Sequence, residues 1–168
     1  MSTITSEPRV NLKSVTPDVS AAMRALHVAA ADSAARAGLP VLLLDLLRLR
    51  VSQINGCEFC MDLHARDARA AGESPERLDA LFAWPASTRF DAREKAALAL
   101  AEAITLVHDG RVPDGVYRAA ATEFGEDGTA ALIWVCTVIN AYNRIAVSTR
   151  MVPPAPQPST QPSTTTSS

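Results

Sequence analysis

Apolar residues recur along this chain three and four positions apart, the spacing that places them on one face of an α-helix. Prolines and small polar residues precede these runs and glycines follow them, as they do at the starts and ends of helices. No alternating β-branched run bounded by hairpin turns interrupts the pattern. The sequence therefore predicts an all-α fold, a bundle of about six to seven helices.

Helix start and stop signals give the bounds of each predicted element. Thr16 and Pro17 open the first helix and Gly38 follows its end, while Asp91 and Glu94 stand in capping-box spacing at the start of another. In chain order, the predicted helical segments span residues 16–38, 40–55, 57–71, 74–82, 91–110, 113–125 and 127–150.

The chain is expected to form one domain, from residue 15 to residue 151, because 168 residues suit a single packed core. Residues 1–14 are predicted to be irregular. Residues 152–168, with the sequence VPPAPQPSTQPSTTTSS, are predicted to form a disordered tail because Pro, Ser and Thr leave almost nothing apolar to bury.

One predicted helix stands out because its first half, VLLLDLLRL at residues 41–49, is apolar on nearly every side. Such a helix lies at the centre of a bundle or faces a partner subunit. Asp45 interrupts the apolar run, and a buried carboxylate is costly unless another group pairs with it. We therefore expect a partner for Asp45.

Composition and charge exclude several classes of protein. The net charge is −2 with no block of like charges, so nothing suggests a nucleic-acid interface. The N-terminus lacks the apolar core of a secretory signal, and no uninterrupted apolar run approaches the roughly 18 residues of a membrane span. We expect a cytoplasmic protein, bound to neither nucleic acid nor membrane, in which a framework of disulfides is disfavoured.

The stretch RVSQINGCEFCMDLHARDA carries the candidate chemistry. On a helix, Cys57, Cys60 and His64 fall at i, i+3 and i+7, which is one face. The helix start near Cys57 offers free N–H groups that lower the pKa of a thiol, and His64 is placed to accept the proton of Cys60. A nucleophilic cysteine needs such a base, and a second cysteine can attack an oxidised sulfur to form a disulfide.

Other interpretations of these residues stay open on spacing alone. A structural zinc site needs four ligands, and the fourth would have to be His27, His108 or Cys136. A thioredoxin-type motif needs a βαβ unit, which the pattern lacks. The two cysteines are also compatible with a purely structural role beside a surface histidine.

The segment DLLRLRVSQINGCEFCMDLHARDARAAGE resembles the signature of the carboxymuconolactone decarboxylase superfamily, in its alkylhydroperoxidase AhpD-like branch. That signature is an acidic residue, usually Glu, followed after eleven residues by C-x-x-C-x-x-x-H. In this chain the acidic position is Asp45, one methylene shorter than Glu. The segments FDAREKAALALAEAIT and VINAYNRIAVSTRM are also similar to the family's later helices, so the resemblance covers roughly residues 15–151.

The resemblance implies a thiol-dependent hydroperoxide reductase that acts in antioxidant defence. Cys60 would attack the peroxide and Cys57 would resolve the sulfenic acid as a disulfide. His64 would activate Cys60, and Asp45 would orient His64 from the neighbouring helix. The resemblance further implies a peroxide substrate, an external dithiol reductant of lipoyl or thioredoxin type, no cofactor or metal, and a homo-oligomer, either a trimer or a hexamer.

Two alternative functions remain at this point. One is a redox-sensing or binding module with a reversible C-x-x-C disulfide, and the other is a carboxymuconolactone decarboxylase-like enzyme of different activity. The lactone-decarboxylating branch lacks the cysteine pair, so Cys57 and Cys60 argue against that particular reaction.

The remaining polar and aromatic candidates are assigned structural roles. Cys136 lies in an apolar helix and is expected to be a packed core thiol. His27 is expected to have no catalytic role, and His108 at a helix end is explained by the helix dipole. The last helix carries three residues for which core packing or a subunit contact is favoured over pocket lining: Trp134, Tyr142 and Asn143.

Overall fold

A computed structural model describes residues 9–154, and within that range the chain contains helices and no strand. This confirms the predicted all-α class. The α-helices are α1 (Leu12–Val15), α2 (Pro17–Arg36), α3 (Val41–Ile54), α4 (Glu58–Ala70), α5 (Pro75–Ala80), α6 (Ala92–Thr105) and α7 (Asp114–Thr149).

The structure describes only part of the predicted irregular N-terminal segment and of the predicted C-terminal tail. Residues 1–8 and 155–168 lie outside the described residues, so most of the predicted tail does as well. Residues 152–154 carry no regular secondary structure. The single-turn helix α1 lies partly within the segment expected to be irregular, because Asn11 caps it by accepting hydrogen bonds from the backbone N–H groups of Lys13 and Ser14.

Helix α6 begins as predicted and ends early. Asp91 accepts the backbone N–H of Glu94 at 2.7 Å, and Glu94 accepts the backbone N–H of Asp91 at 3.0 Å, which completes the capping box. The helix stops at Thr105 rather than at Gly110. Residues 106–110 are exposed, so a further turn would bury no apolar face and gain little from packing.

The last two predicted helices form one long element, α7, with a bend at Gly125. Gly125 has φ 66° and ψ −173°, a conformation that is almost restricted to glycine. The part of α7 after the bend carries most of its buried residues, among them Leu132, Val135 and Ile139. By length and composition α7 could cross a membrane. Half of its most apolar stretch is buried inside the protein, however, as in the core helix of a packed bundle.

Helix α3 occupies the centre of the bundle, as its apolar sequence predicted. Leu46, Leu47 and Val51 are completely buried, and α3 packs against α4, α6 and α7. Burial of one such leucine stabilises the fold by about 1.5–3 kcal/mol. A side-chain hydrogen bond also joins α6 to α3: Glu102 accepts it from Arg50 Nε at 2.6 Å.

The turn between α3 and α4 positions the candidate site. Gly56 has φ 64°, a left-handed conformation that reverses the chain immediately before Cys57. Cys57 and Cys60 then pack against Ala146 of α7. The start of α4 is therefore held between the end of α3 and the last turns of α7.

The bend at Gly125 yields a stability prediction. Gly125→Ala should lower the free energy of unfolding by about 1–3 kcal/mol, because the backbone conformation disfavours a Cβ even though the space around it is open. Gly115→Ala is the matched control in the same helix, where space is also open and φ is not positive; it should be neutral or stabilising by up to about 1 kcal/mol. Urea unfolding followed by circular dichroism measures both, and equal stabilities would contradict the prediction.

Candidate active site

Cys57 is the N-cap residue of α4, so the predicted start of this helix is confirmed. Its Sγ accepts the backbone N–H of Cys60 at 3.3 Å, which satisfies one of the free donors of the first turn. Both thiols are free and buried, with exposed fractions of 1% for Cys57 and 4% for Cys60. The first turn of α4 thus presents two reduced sulfurs to the interior.

A cavity of about 340 Å³ reaches one of these sulfurs. Its walls come from α2, α3, α4 and α7, and most of its lining is aliphatic or aromatic. Cys60 and His64 line this cavity, whereas Cys57 is not among the lining residues. The two cysteines therefore differ in access, and a small apolar molecule in the cavity would meet Cys60.

The predicted fall in the pKa of Cys60 is wrong. Burial raises the pKa of the Cys60 thiol to about 12, and the hydrogen bond and charge of Cys57 act in the same direction. The side chain of Asn143 opposes this and lowers the pKa of Cys60. Loss of water around the sulfur outweighs the free N–H groups at the helix start, because desolvation penalises the thiolate directly.

His64 lies on the same wall of the cavity and is uncharged at neutral pH. Burial lowers the pKa of His64 to about 4, and the positive charge of Arg48 and the nearby His27 lower it further. Its Nδ1 is buried without a hydrogen-bond partner and lies 3.8 Å from Asp67 Oδ2. The neutral imidazole retains one ring nitrogen that can accept a proton.

Asp45 is buried, as expected, but its partner differs from the one that the resemblance implied. Asp45 Oδ1 accepts a hydrogen bond from Arg48 at 3.0 Å on the same helix, and the described side chains include no direct hydrogen bond from Asp45 to His64. Residues three positions apart share a helical face, so this pair forms locally. Burial raises the pKa of Asp45, and Arg48 opposes that shift.

Arg48 itself belongs to the site, and sequence reasoning missed it. Arg48 lines the cavity, and its charge lowers the pKa of both His27 and His64. Asp45 is therefore bonded to a residue of the cavity wall, Arg48, rather than to an imidazole. The sequence did contain a signal for this role of Arg48. It is an arginine in an otherwise apolar helix, three residues after the carboxylate of Asp45.

Two residues to which the sequence assigned structural roles also line the cavity. His27 of α2 meets Tyr142 of α7 edge to face, with ring centroids 5.8 Å apart, and both rings contribute to the wall. Burial lowers the pKa of His27, and the positive charge of Arg48 lowers it further. Trp134 instead lies half-exposed on α7, away from this wall.

Asn143 is completely buried beside the cysteines in a network of side-chain amides. Its Oδ1 accepts a hydrogen bond from Asn55 Nδ2 at 2.9 Å, and its Nδ2 donates to Ser52 Oγ at 3.0 Å. Buried polar side chains are nearly always hydrogen-bonded, so an asparagine in an apolar helix indicates a hydrogen-bond network. This was the signal for Asn143 in the sequence.

No metal centre is assembled in the part of the chain between residues 9 and 154. There, no group of three or more His, Cys, Asp or Glu residues is arranged to hold an ion. Of the proposed fourth zinc ligands, Cys136 is buried in the main hydrophobic core and His108 is exposed after α6.

Comparison with known proteins adds four findings. Residues 16–103 match the sequence profile of the carboxymuconolactone decarboxylase family. The uncharacterised protein YdfG of Bacillus subtilis (strain 168) is 41% identical over 104 residues, which cover 62% of this chain and 71% of that protein. A crystal structure from Agrobacterium tumefaciens aligns with a TM-score of 0.81 at 28% identity over 89% of this chain and 100% of that one.

The Agrobacterium protein is described as of unknown function and as a candidate antioxidant defence protein AhpD. A second structure, an uncharacterised peroxidase-related protein from Silicibacter sp. TM1040, aligns with a TM-score of 0.63 at 23% identity over 69% of this chain and 61% of that one. At that identity, the second likeness supports the fold alone.

The low pKa of His64 predicts a pH-dependent stability. Between pH about 4 and 6.5 the unfolded chain binds more protons at this imidazole than the folded protein, so the free energy of unfolding should fall as the pH decreases through that window. The loss attributable to His64 should reach roughly 3 kcal/mol. His64→Leu should flatten the profile by that amount in urea unfolding from pH 7 to 4.

His108→Gln, at an exposed residue outside the cavity, is the control for removal of one imidazole. A His64→Leu variant whose stability falls as steeply as that of the wild type between pH 6.5 and 4 would contradict the predicted neutral state of His64.

Proposed function

Because the chain belongs to the carboxymuconolactone decarboxylase family, we propose that it is a thiol-dependent hydroperoxide reductase of the AhpD-like type. The observation that carries the proposal is the unequal access of the two cysteines: Cys60 lines an apolar cavity together with His64, and Cys57 is sealed behind it. That asymmetry suits an attacking thiol and a resolving thiol.

In the first step, Cys60 Sγ attacks the terminal oxygen of the hydroperoxide while its proton passes to His64 Nε2, directly or through water. A sulfur–oxygen bond forms and the oxygen–oxygen bond breaks. The imidazolium then protonates the departing alkoxide, so the products are a sulfenic acid on Cys60 and an alcohol. Its low pKa makes protonated His64 a strong acid, which suits it to return the proton promptly.

In the second step, Cys57 Sγ attacks the sulfenic sulfur of Cys60. A disulfide forms, and the hydroxide that leaves takes the proton of Cys57 and becomes water. The position of Cys57 at the N-cap supports this role, because its sulfur already points at the backbone N–H of Cys60. The disulfide would span a C-x-x-C at the first turn of α4.

An external dithiol, of lipoyl or thioredoxin type, then reduces the disulfide in two exchange reactions and leaves as a disulfide itself. We further propose that the protein acts in the cytoplasm and assembles as a homo-oligomer. Mass photometry at nanomolar concentration tests the assembly, and a monomer alone would contradict it.

The adjacent pair of free cysteines, with Cys57 Sγ 3.3 Å from the backbone nitrogen of Cys60, also suits a second candidate, a redox-sensing module with a reversible disulfide. A thiol with a pKa of about 12 is almost entirely protonated at pH 7, so its oxidation would be slow unless His64 removes the proton during attack. Steady-state peroxide consumption with dihydrolipoamide or thioredoxin separates the candidates. Reversible disulfide formation without turnover favours the sensor.

Cysteine substitutions test the assigned roles directly. Cys60→Ser should abolish consumption of tert-butyl hydroperoxide, whereas Cys57→Ser should consume one equivalent and retain a sulfenic acid that dimedone traps. Cys136→Ala, which removes a buried thiol outside the cavity, is the matched control and should keep turnover. Mass spectrometry assigns each modified cysteine, and turnover by Cys60→Ser would contradict the assignment.

Substitution of His64 tests the proton transfer. His64→Gln should lower kcat/KM for tert-butyl hydroperoxide by about 10²- to 10⁴-fold, the usual contribution of a general acid or base. The loss should be smaller at high pH, where hydroxide removes the thiol proton. His108→Gln serves as the control. An activity within about threefold of wild type for His64→Gln would remove the imidazole from the mechanism.

A further inference from the structure

The amide network beside the cysteines fixes the orientation of Asn143. The hydroxyl of Ser52 donates its hydrogen to the backbone oxygen of Arg48 at 2.7 Å, so Ser52 Oγ can only accept from Asn143. On the other side, Asn55 Nδ2 donates to Asn143 Oδ1 at 2.9 Å. The nitrogen of the Asn143 amide therefore faces Ser52 and its oxygen faces Asn55.

Counting N–H hydrogens shows that one of them lacks an oxygen acceptor. Asn55 uses both of its side-chain hydrogens, on the Oδ1 atoms of Asn140 and Asn143. Asn140 uses both of its own, on Thr105 Oγ1 and the backbone oxygen of Cys136. Asn143 has two hydrogens on Nδ2 and uses one on Ser52, so one remains.

The Asn143 side chain lies near the start of α4, close enough to Cys60 to affect the pKa of its thiol. Asn143 precedes Ala146 by three residues on α7, and Ala146 packs against Cys57 and Cys60. Asn143 is completely buried, so bulk solvent does not reach the remaining hydrogen. We infer that Asn143 donates this hydrogen bond to the sulfur of Cys60 and stabilises its thiolate.

The charge balance at the sulfur supports this inference. Burial raises the pKa of Cys60, and the only opposing influence among its principal determinants is the side chain of Asn143. In a desolvated site, a fixed N–H donor stabilises an anion without reorganising when the charge develops. The role of Asn143 in peroxide reduction rests on the proposed function, whereas its effect on the thiolate does not.

Alkylation of Cys60 by iodoacetamide at a fixed pH tests the inference, because only the thiolate reacts and its rate follows the thiolate fraction. Asn143→Leu keeps the side-chain size, removes the donor and leaves Asn55 bonded to Asn140. A hydrogen bond to an ion corresponds to roughly one to two pKa units, so the alkylation rate should fall about 10- to 100-fold. Peptide mass spectrometry isolates the signal of Cys60.

Asn140→Leu is the matched control, because it lies in the same network and points to Thr105 instead of the cysteines. It should lower the thermal stability by a similar amount and leave the Cys60 alkylation rate within about threefold of wild type. Equal slowing in both variants, or no slowing in Asn143→Leu, would overturn the inference.

Nuclear magnetic resonance of the wild-type protein gives a second test that needs no variant. Alkylation of Cys60 should shift the Asn143 side-chain amide resonances and leave those of Asn140 in place; an unmoved Asn143 amide would also overturn the inference. Steady-state peroxide assays on the wild type decide the proposed function separately. If the protein shows no peroxide turnover but its Cys60 alkylation depends on Asn143, this inference is supported and the proposed peroxidase activity is contradicted.

Discussion

The link between Asn55 and α7, made by two separate hydrogen bonds, is the interaction on which the site depends. Asn55 ends α3, one residue before the turn at Gly56, and its amide joins that turn to Asn140 and Asn143 at 2.9 Å each. The next residue after the turn is Cys57, so the same bonds set where α4 begins relative to α7. A buried network of this kind favours one arrangement because any other would leave buried polar groups without partners.

Desolvation governs the chemistry of the pocket once this arrangement exists. It raises the pKa of Cys60 to about 12 and lowers that of His64 to about 4, so a neutral thiol and a neutral imidazole face the same cavity at pH 7. Charges would then appear only during a reaction, when the proton moves from sulfur to nitrogen. The apolar lining, which makes a resting thiolate costly, also makes each oriented N–H donor more effective.

Asp45 and Arg48 place a largely buried ion pair beside the site. Asp45 bonds Arg48 one turn along its own helix, and Arg48 lines the cavity and disfavours protonation of both nearby histidines. Asp45 is therefore bonded to Arg48 and not to the imidazole. Membership in the carboxymuconolactone decarboxylase family is compatible with this variation, because the cysteine pair and the histidine keep their helical spacing.

The sequence by itself determined the helical class, the capping box at Asp91 and Glu94, the central position of α3 and the location of Cys57 at a helix start. These features depend on local periodicity and on capping side chains that act within a few residues. Only the tertiary structure decided the sign of the Cys60 pKa shift and the hydrogen-bond partners of Asn143 on another helix. Each of these depends on how much water neighbouring helices exclude and on which side chains meet across 80 or more positions, as Asn55 and Asn143 do. The spacing of residues along one helix contains no information about exclusion of water by other helices or about contacts between distant residues.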